Sequence, residues 1–168
     1  MNRIAAHLDG FSEAEATAAL TRCCASSAWV RAMTKARPFH TDAALFSAAD
    51  RIWHDLTPKD WLEAFQAHPR IGDRPAAAHA STAAWSSREQ AGMESATADT
   101  ARALAEGNRA YEEKFGHVFL ICATGKSATD MLIALRERMD NLPEAEVRVA
   151  AKEHAQITRI RLGKLVDE

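Results

Sequence analysis

The sequence predicts an all-α fold, a single-domain helical bundle of about seven to nine helices over residues 1–168. Three observations predict it. Apolar residues recur at three- and four-residue spacing along nearly the whole chain. Side chains suited to capping helix starts precede those stretches. The one apolar run without helical spacing, Phe119-Leu120-Ile121-Cys122-Ala123, has no partner strand with which to build a sheet.

Ser12 and Glu15 stand in capping-box register, and the alanine-rich chain to about Cys24 favours helix. A short helix carrying Trp29, Val30 and Met33 ends before Pro38, and Thr41 or Asp42 caps a longer one through Leu45, Ala49, Ile52, Trp53 and Leu56. In Thr57-Pro58-Lys59-Asp60, Thr57 is the N-cap and Pro58 lies in the first turn, ahead of the apolar face Trp61, Leu62 and Phe65. Pro69 disfavours helical geometry at His68, so this helix is expected to end there. A loop from Pro69 to about Thr82 follows, containing Gly72 and Pro75. Ser86 and Glu89, again in capping-box register, predict a helix start at Ser86, with Gly92 a weak point. A long helix runs from about Thr97 to Phe115 and stops at Gly116. Phe119 to Ala123 is expected to be buried extended chain. Ser127 with Asp130 starts a helix through Met139, and Pro143 opens the last one.

Bulk properties narrow the function classes. The 21 basic and 23 acidic residues leave a net charge of −2, without a basic tract, which argues against nucleic acid as a partner. No apolar run approaches the roughly 20 residues that span a bilayer. Neither a secretory signal nor a terminal Ser-Lys-Leu is present, so a cytoplasmic protein is expected. Cys23, Cys24 and Cys122 lack zinc-type spacing and suit reduced, space-filling thiols. The glycines form no phosphate loop or dinucleotide fingerprint, and the seven histidines show no paired metal spacing. A metal enzyme is therefore disfavoured.

Four places could carry chemistry. His68, at a helix-to-loop corner, changes charge near neutral pH and suits acid–base work, although a helix stop with an incidental surface histidine reads the same way. Glu89 is a second acid–base candidate, or simply a capping glutamate. In Phe119 to Ala123, backbone N–H and C=O groups need partners that either neighbouring protein or a planar polar ligand could supply. Arg161 shares a stripe with Ile157 and Leu165 and is either an anion clamp or an ion-pair partner, whereas Arg159 points about 160° away.

Five ordered blocks together are more specific than any one. His68-Pro69-Arg70-Ile71-Gly72, Ser86-Ser87-Arg88-Glu89-Gln90-Ala91-Gly92, Asn108-Arg109-Ala110-Tyr111-Glu112-Glu113-Lys114-Phe115-Gly116, Phe119-Leu120-Ile121-Cys122-Ala123 and Ile157-Thr158-Arg159-Ile160-Arg161-Leu162 follow one another along the chain. In this order they resemble the 2-oxo-4-hydroxy-4-carboxy-5-ureidoimidazoline (OHCU) decarboxylase family over essentially the whole sequence. The resemblance implies a cofactor-free carboxy-lyase of urate breakdown, usually a homodimer, that converts OHCU to (S)-allantoin and carbon dioxide. It implies His68 as the catalytic histidine and Glu89 as its acidic companion. It also implies a substrate-binding set of Pro69, Ser86, Ser87, Arg88 and Gln90, the backbone run Phe119, Leu120, Ile121, Cys122 and Ala123, and Arg161. The absence of a fused transthyretin-like domain fits a free-standing version.

The chemistry suits those residues. The ring itself can accept the electrons left by departing carbon dioxide, so the protein need only orient it, stabilise the developing charge and manage a proton. The competing expectation is a non-catalytic helical binding module of the same pathway; a hydrolase of a related ureide would need an activated water that no metal motif offers.

Overall fold

The computed structural model describes residues 2–73 and 82–167, and among these it contains α-helices and no strand. The helices are α1 (Arg3–Asp9), α2 (Glu13–Cys23), α3 (Ser27–Lys35), α4 (Asp42–His54), α5 (Pro58–Phe65), α6 (Ala83–Glu89), α7 (Ala98–Phe115), α8 (Ala128–Arg138) and α9 (Pro143–Lys164). The all-α class is therefore as the sequence predicts. The chain falls into two compact units, Met1–Ala64 with Ala155–Glu168, and Phe65–His154. Helix α9 contributes its first part to the second unit and its remainder to the first.

In the first unit, local capping chemistry sets most helix starts. Ser12 and Glu15 exchange the two bonds of a capping box at α2, and Thr41 accepts from the Ala44 N–H at α4. Thr57 and Asp60 bond reciprocally at α5. Helix α1 carries no such signal and was not expected. Tertiary contacts hold it: the Asp42 carboxylate accepts from the Ala5 N–H at 2.8 Å, and the Arg37 guanidinium donates to the Leu8 and Phe11 carbonyls at 2.7 and 2.8 Å. A seven-residue helix is too short to stand on propensity alone. The core holds Leu20, Trp29, Met33, Leu45, Trp53 and Trp61. The Trp29 and Trp61 indoles donate to the carbonyls of Ala49 and Trp53, so their burial leaves no N–H unpaired.

In the second unit, Thr97 caps α7, and Gly116 ends it at φ 77°, a left-handed conformation that glycine adopts without strain. Ser127 and Asp130 form the capping box of α8. Leu104, Tyr111, Met131 and Leu135 of α7 and α8 pack with Phe119, Ile121 and Ala123 in one core. Gly92, in a 3-10 turn over Ala91–Ser95, lies so close to the Lys126 carbonyl that a Cβ there would sit 2.0 Å from the oxygen.

Two expectations are corrected. Helix α5 stops at Phe65 rather than at His68; the chain turns through Gln66 and Ala67, and the His68 N–H donates to the Phe65 carbonyl at 3.1 Å. Helix α6 begins at Ala83, so Ser86 is interior and Glu89 is its last residue, not the third of a new helix. A capping box needs a non-helical residue at its serine. Ala83 and Ala84, strong helix formers, and the buried Trp85 instead extend the helix upstream. The middle of the expected loop, residues 74–81 with Pro75, lies outside the described residues.

Candidate functional site

The second unit gathers three of the four candidate segments. His68 and Pro69 are half-buried at the bend after α5. The His68 ring meets the fully buried His154 ring edge-on, with centroids 4.9 Å apart. The chain beyond is pinned at consecutive points. Arg70 Nε bonds both Glu112 carboxylate oxygens at 3.0 and 2.9 Å, and Asn108 Nδ2 donates to the Ile71 carbonyl at 3.0 Å. The Gly72 N–H, at φ 92°, donates to Gln90 Oε1 at 2.9 Å. Gln90 thus ties the histidine loop to the end of α6.

On α6, Ser86 and Glu89 are buried, while Ser87 and Arg88 face solvent, with Arg88 Nε donating to the Ala84 carbonyl of its own helix. Glu89 occupies a position that ordinarily disfavours a carboxylate, since the C-terminal end of a helix carries partial negative charge. Its carboxylate also lies close enough to Cys122 to help raise that thiol.

Phe119 to Ala123 is wholly buried and non-helical, as expected, and its side chains alternate: Phe119, Ile121 and Ala123 join the cluster packed with α7 and α8, and Leu120 and Cys122, equally buried, lie outside that cluster. Its backbone bonds alternate with them. Arg138 Nη1 donates to the Leu120 carbonyl at 2.7 Å, the Cys122 N–H donates to Glu153 Oε2 at 2.9 Å, and Lys126 Nζ donates to the Cys122 carbonyl at 2.6 Å. Burial raises the Cys122 thiol above its ordinary range, with Lys126 opposing and Glu153 and Glu89 reinforcing. Burial pushes Cys24 up to about 12. Neither thiol is poised as a thiolate nucleophile, which suits space-filling roles.

The fourth segment lies in the first unit. Arg161 is buried, and its Nη1 donates at 3.2 Å to the Arg22 carbonyl in the last turn of α2. Arg159 is exposed, bonded to Asp50 at 3.1 Å and stacked 4.4 Å above the Phe46 ring. The two arginines therefore point apart, as helical geometry requires. If Arg161 is the substrate arginine, Arg161→Lys should lower kcat/KM about tenfold or more, because an ammonium cannot reproduce the planar fork. Arg159→Lys should stay within about twofold, as expected of an exposed pair. Steady-state kinetics with thermal melts check both, and a purely thermal defect at position 161 would remove the clamp role.

Sequence reasoning passed over a second polar group. Arg138 and Glu146 form a buried ion pair, Tyr111 donates its hydroxyl proton to Glu146, and Asn141 Nδ2 donates to Glu146 Oε2 at 2.8 Å. Burial and Glu146 together push the Tyr111 phenol well above its ordinary value. A signal existed in the stripe used for Arg161. Continued backwards in steps of three and four, it passes through Ile157, His154, Ala150 and Glu146, all buried.

Residues 9–163 match the model of the OHCU decarboxylase family. The uric acid degradation bifunctional protein TTL of Arabidopsis thaliana is 38% identical over 148 residues, 87% of this chain and 46% of that protein, so the chain spans about half of that relative. The 2-oxo-4-hydroxy-4-carboxy-5-ureidoimidazoline decarboxylase of Haloferax volcanii is 29% identical over 139 residues, 82% of this chain and 81% of the relative. A crystal structure of OHCU decarboxylase in the presence of (S)-allantoin superposes with a TM-score of 0.77 at 36% identity, covering 88% of this chain and 96% of that one. An (S)-allantoin synthase structure, 21% identical with a TM-score of 0.72 over 95% of this chain and 53% of its own, shares the fold.

Proposed function

The chain belongs to the OHCU decarboxylase family, and on that premise we propose that it decarboxylates OHCU to (S)-allantoin and carbon dioxide in urate breakdown, without a metal or organic cofactor. The observation that carries this reading is the bonding of the buried run along one edge from Leu120 to Cys122, before the chain turns and the Ala123 carbonyl accepts from the Lys126 N–H at 3.0 Å. In extended chain the N–H and C=O of alternate residues face opposite edges. With Leu120 and Cys122 turned towards Arg138, Glu153 and Lys126, the Ile121 N–H, Ile121 C=O and Ala123 N–H face the other way. Ile121 thereby offers a donor beside an acceptor, complementary to the adjacent C=O and N–H of a cyclic ureide. The Ala123 N–H is a further donor for an oxygen-rich ring.

Loss of carbon dioxide leaves an electron pair on the hydroxyl-bearing carbon, which the adjacent ring unsaturation takes up. The ureido-bearing carbon then gains a proton on one face, and the hydroxyl becomes the second ring carbonyl as its own proton leaves. His68 holds that hydroxyl and manages its proton; Glu89 polarises the imidazole. The homodimer implied by the resemblance belongs to the same proposal, and light scattering in solution reads it.

Glu89→Gln separates a functional carboxylate from a structural one. A carboxylate that closes a helix does little for that helix, so the amide should leave the melting temperature unchanged or raised. Turnover should fall by about 10². A variant with both turnover and melting temperature intact would end the catalytic assignment. The overall test is freshly generated OHCU mixed with the protein, following substrate decay, carbon dioxide release and the handedness of the allantoin. Rapid release with (S)-allantoin as product supports decarboxylation. Saturable binding without acceleration over the spontaneous decay would make the chain a binding module.

A further inference from the structure

The three groups that grip the outer edge of the buried run are all charged, and their signs alternate along it. The Arg138 guanidinium bonds the Leu120 carbonyl, the Glu153 carboxylate accepts from the Cys122 N–H, and the Lys126 ammonium bonds the Cys122 carbonyl. Each peptide unit joins a carbonyl to the next residue's N–H, so a charge on one end polarises the other. A cation on the Leu120 carbonyl makes the Ile121 N–H a stronger donor. An anion on the Cys122 N–H makes the Ile121 carbonyl a stronger acceptor, and a cation on the Cys122 carbonyl makes the Ala123 N–H a stronger donor.

We infer that Arg138, Glu153 and Lys126 are positioning residues that fix the run and polarise its inner edge in the order donor, acceptor, donor, matching the C=O and N–H pattern of the cyclic ureide. The inference rests on the proposed binding of such a ring at Ile121 and Ala123. None of the three side chains touches the ring; each acts through one peptide unit. Helix α9 supplies two of the supports, Glu153 directly and Glu146 through its ion pair with Arg138. They stand seven residues apart, close to two helical turns, and so on one face of α9.

The test uses Glu153→Gln, Glu153→Ala and Lys126→Met, which spare the buried Arg138. Binding of (S)-allantoin, 1-methylhydantoin and 3-methylhydantoin is followed by calorimetry, beside OHCU kinetics and thermal melts. The 1-methyl isomer keeps the ring N–H between its two carbonyls, and the 3-methyl isomer blocks it. The full chain should prefer the 1-methyl isomer. Glu153→Gln keeps an acceptor but loses the charge, and should weaken (S)-allantoin binding about threefold; Glu153→Ala should weaken it about tenfold, and Lys126→Met about threefold. KM should rise with Kd while kcat stays within about twofold. Unchanged affinity in folded Glu153→Gln and Lys126→Met overturns the inference, as does a full chain that binds both isomers alike. A chain that fails to turn over OHCU but keeps the isomer preference, and loses it in the variants, overturns the proposed function and leaves this inference standing.

Discussion

His68→Asn is expected to lower kcat for OHCU decarboxylation by about 10²–10⁴, the usual cost of one positioned acid–base group. Asparagine can still hydrogen-bond, but it cannot exchange a proton near neutral pH. The fold should survive. His68 is only half-buried, its backbone N–H bond to the Phe65 carbonyl does not need the imidazole, and the following loop is held by Arg70, Ile71 and Gly72. Stopped-flow decay of fresh OHCU, with circular-dichroism melts of both proteins, reads the two effects separately. Turnover near that of the unaltered chain in a folded His68→Asn would remove the imidazole from the mechanism.

Arg138→Met should produce the largest loss of stability, about 3–5 kcal/mol, because it strands the Glu146 carboxylate in the core. Glu146 is fully buried and accepts from Arg138, Tyr111 and Asn141 at once. The same change removes the guanidinium 4.7 Å from the Phe119 ring and uncovers the Leu120 carbonyl. Making the carboxylate neutral as well, in Arg138→Met with Glu146→Gln, should recover a good part of the loss, since the amide oxygen still accepts from Tyr111. Denaturant unfolding of the single and double variants decides it. A single variant within about 1 kcal/mol of the unaltered chain would show that the pair adds nothing to stability.

Features written within a few residues were legible in the sequence. Ser12, Thr57 and Ser127 each start the helix their local pattern promises, because a capping bond spans only three positions. That short span is also why Ser86 and Glu89 misled: a spacing of three fits a capping box and the inside of a helix equally well. Features whose partners are distant in sequence were not legible. Helix α1 is held from Arg37 and Asp42, and Tyr111 finds its acceptor 35 residues away at Glu146. The inward face of Arg161 on α9 and the buried, non-helical form of Phe119 to Ala123 could be anticipated from sequence pattern, whereas the burial of Glu89, read there as a capping residue or acid–base candidate, could not. The charges behind that run could not, since Arg138, Lys126 and Glu153 acquire meaning only when the chain closes on them.

The bonds on Arg70, Ile71 and Gly72 bear on how quickly those three residues move. Three successive residues of an apparently irregular segment are tied to α7 and Gln90, and the Gly72 amide is itself a donor in that network. Its amide hydrogen should exchange with deuterium more slowly than an unbonded loop amide, by local release of the Gln90 side chain. Three residues tied in this way leave little conformational freedom for a bound molecule to remove from them.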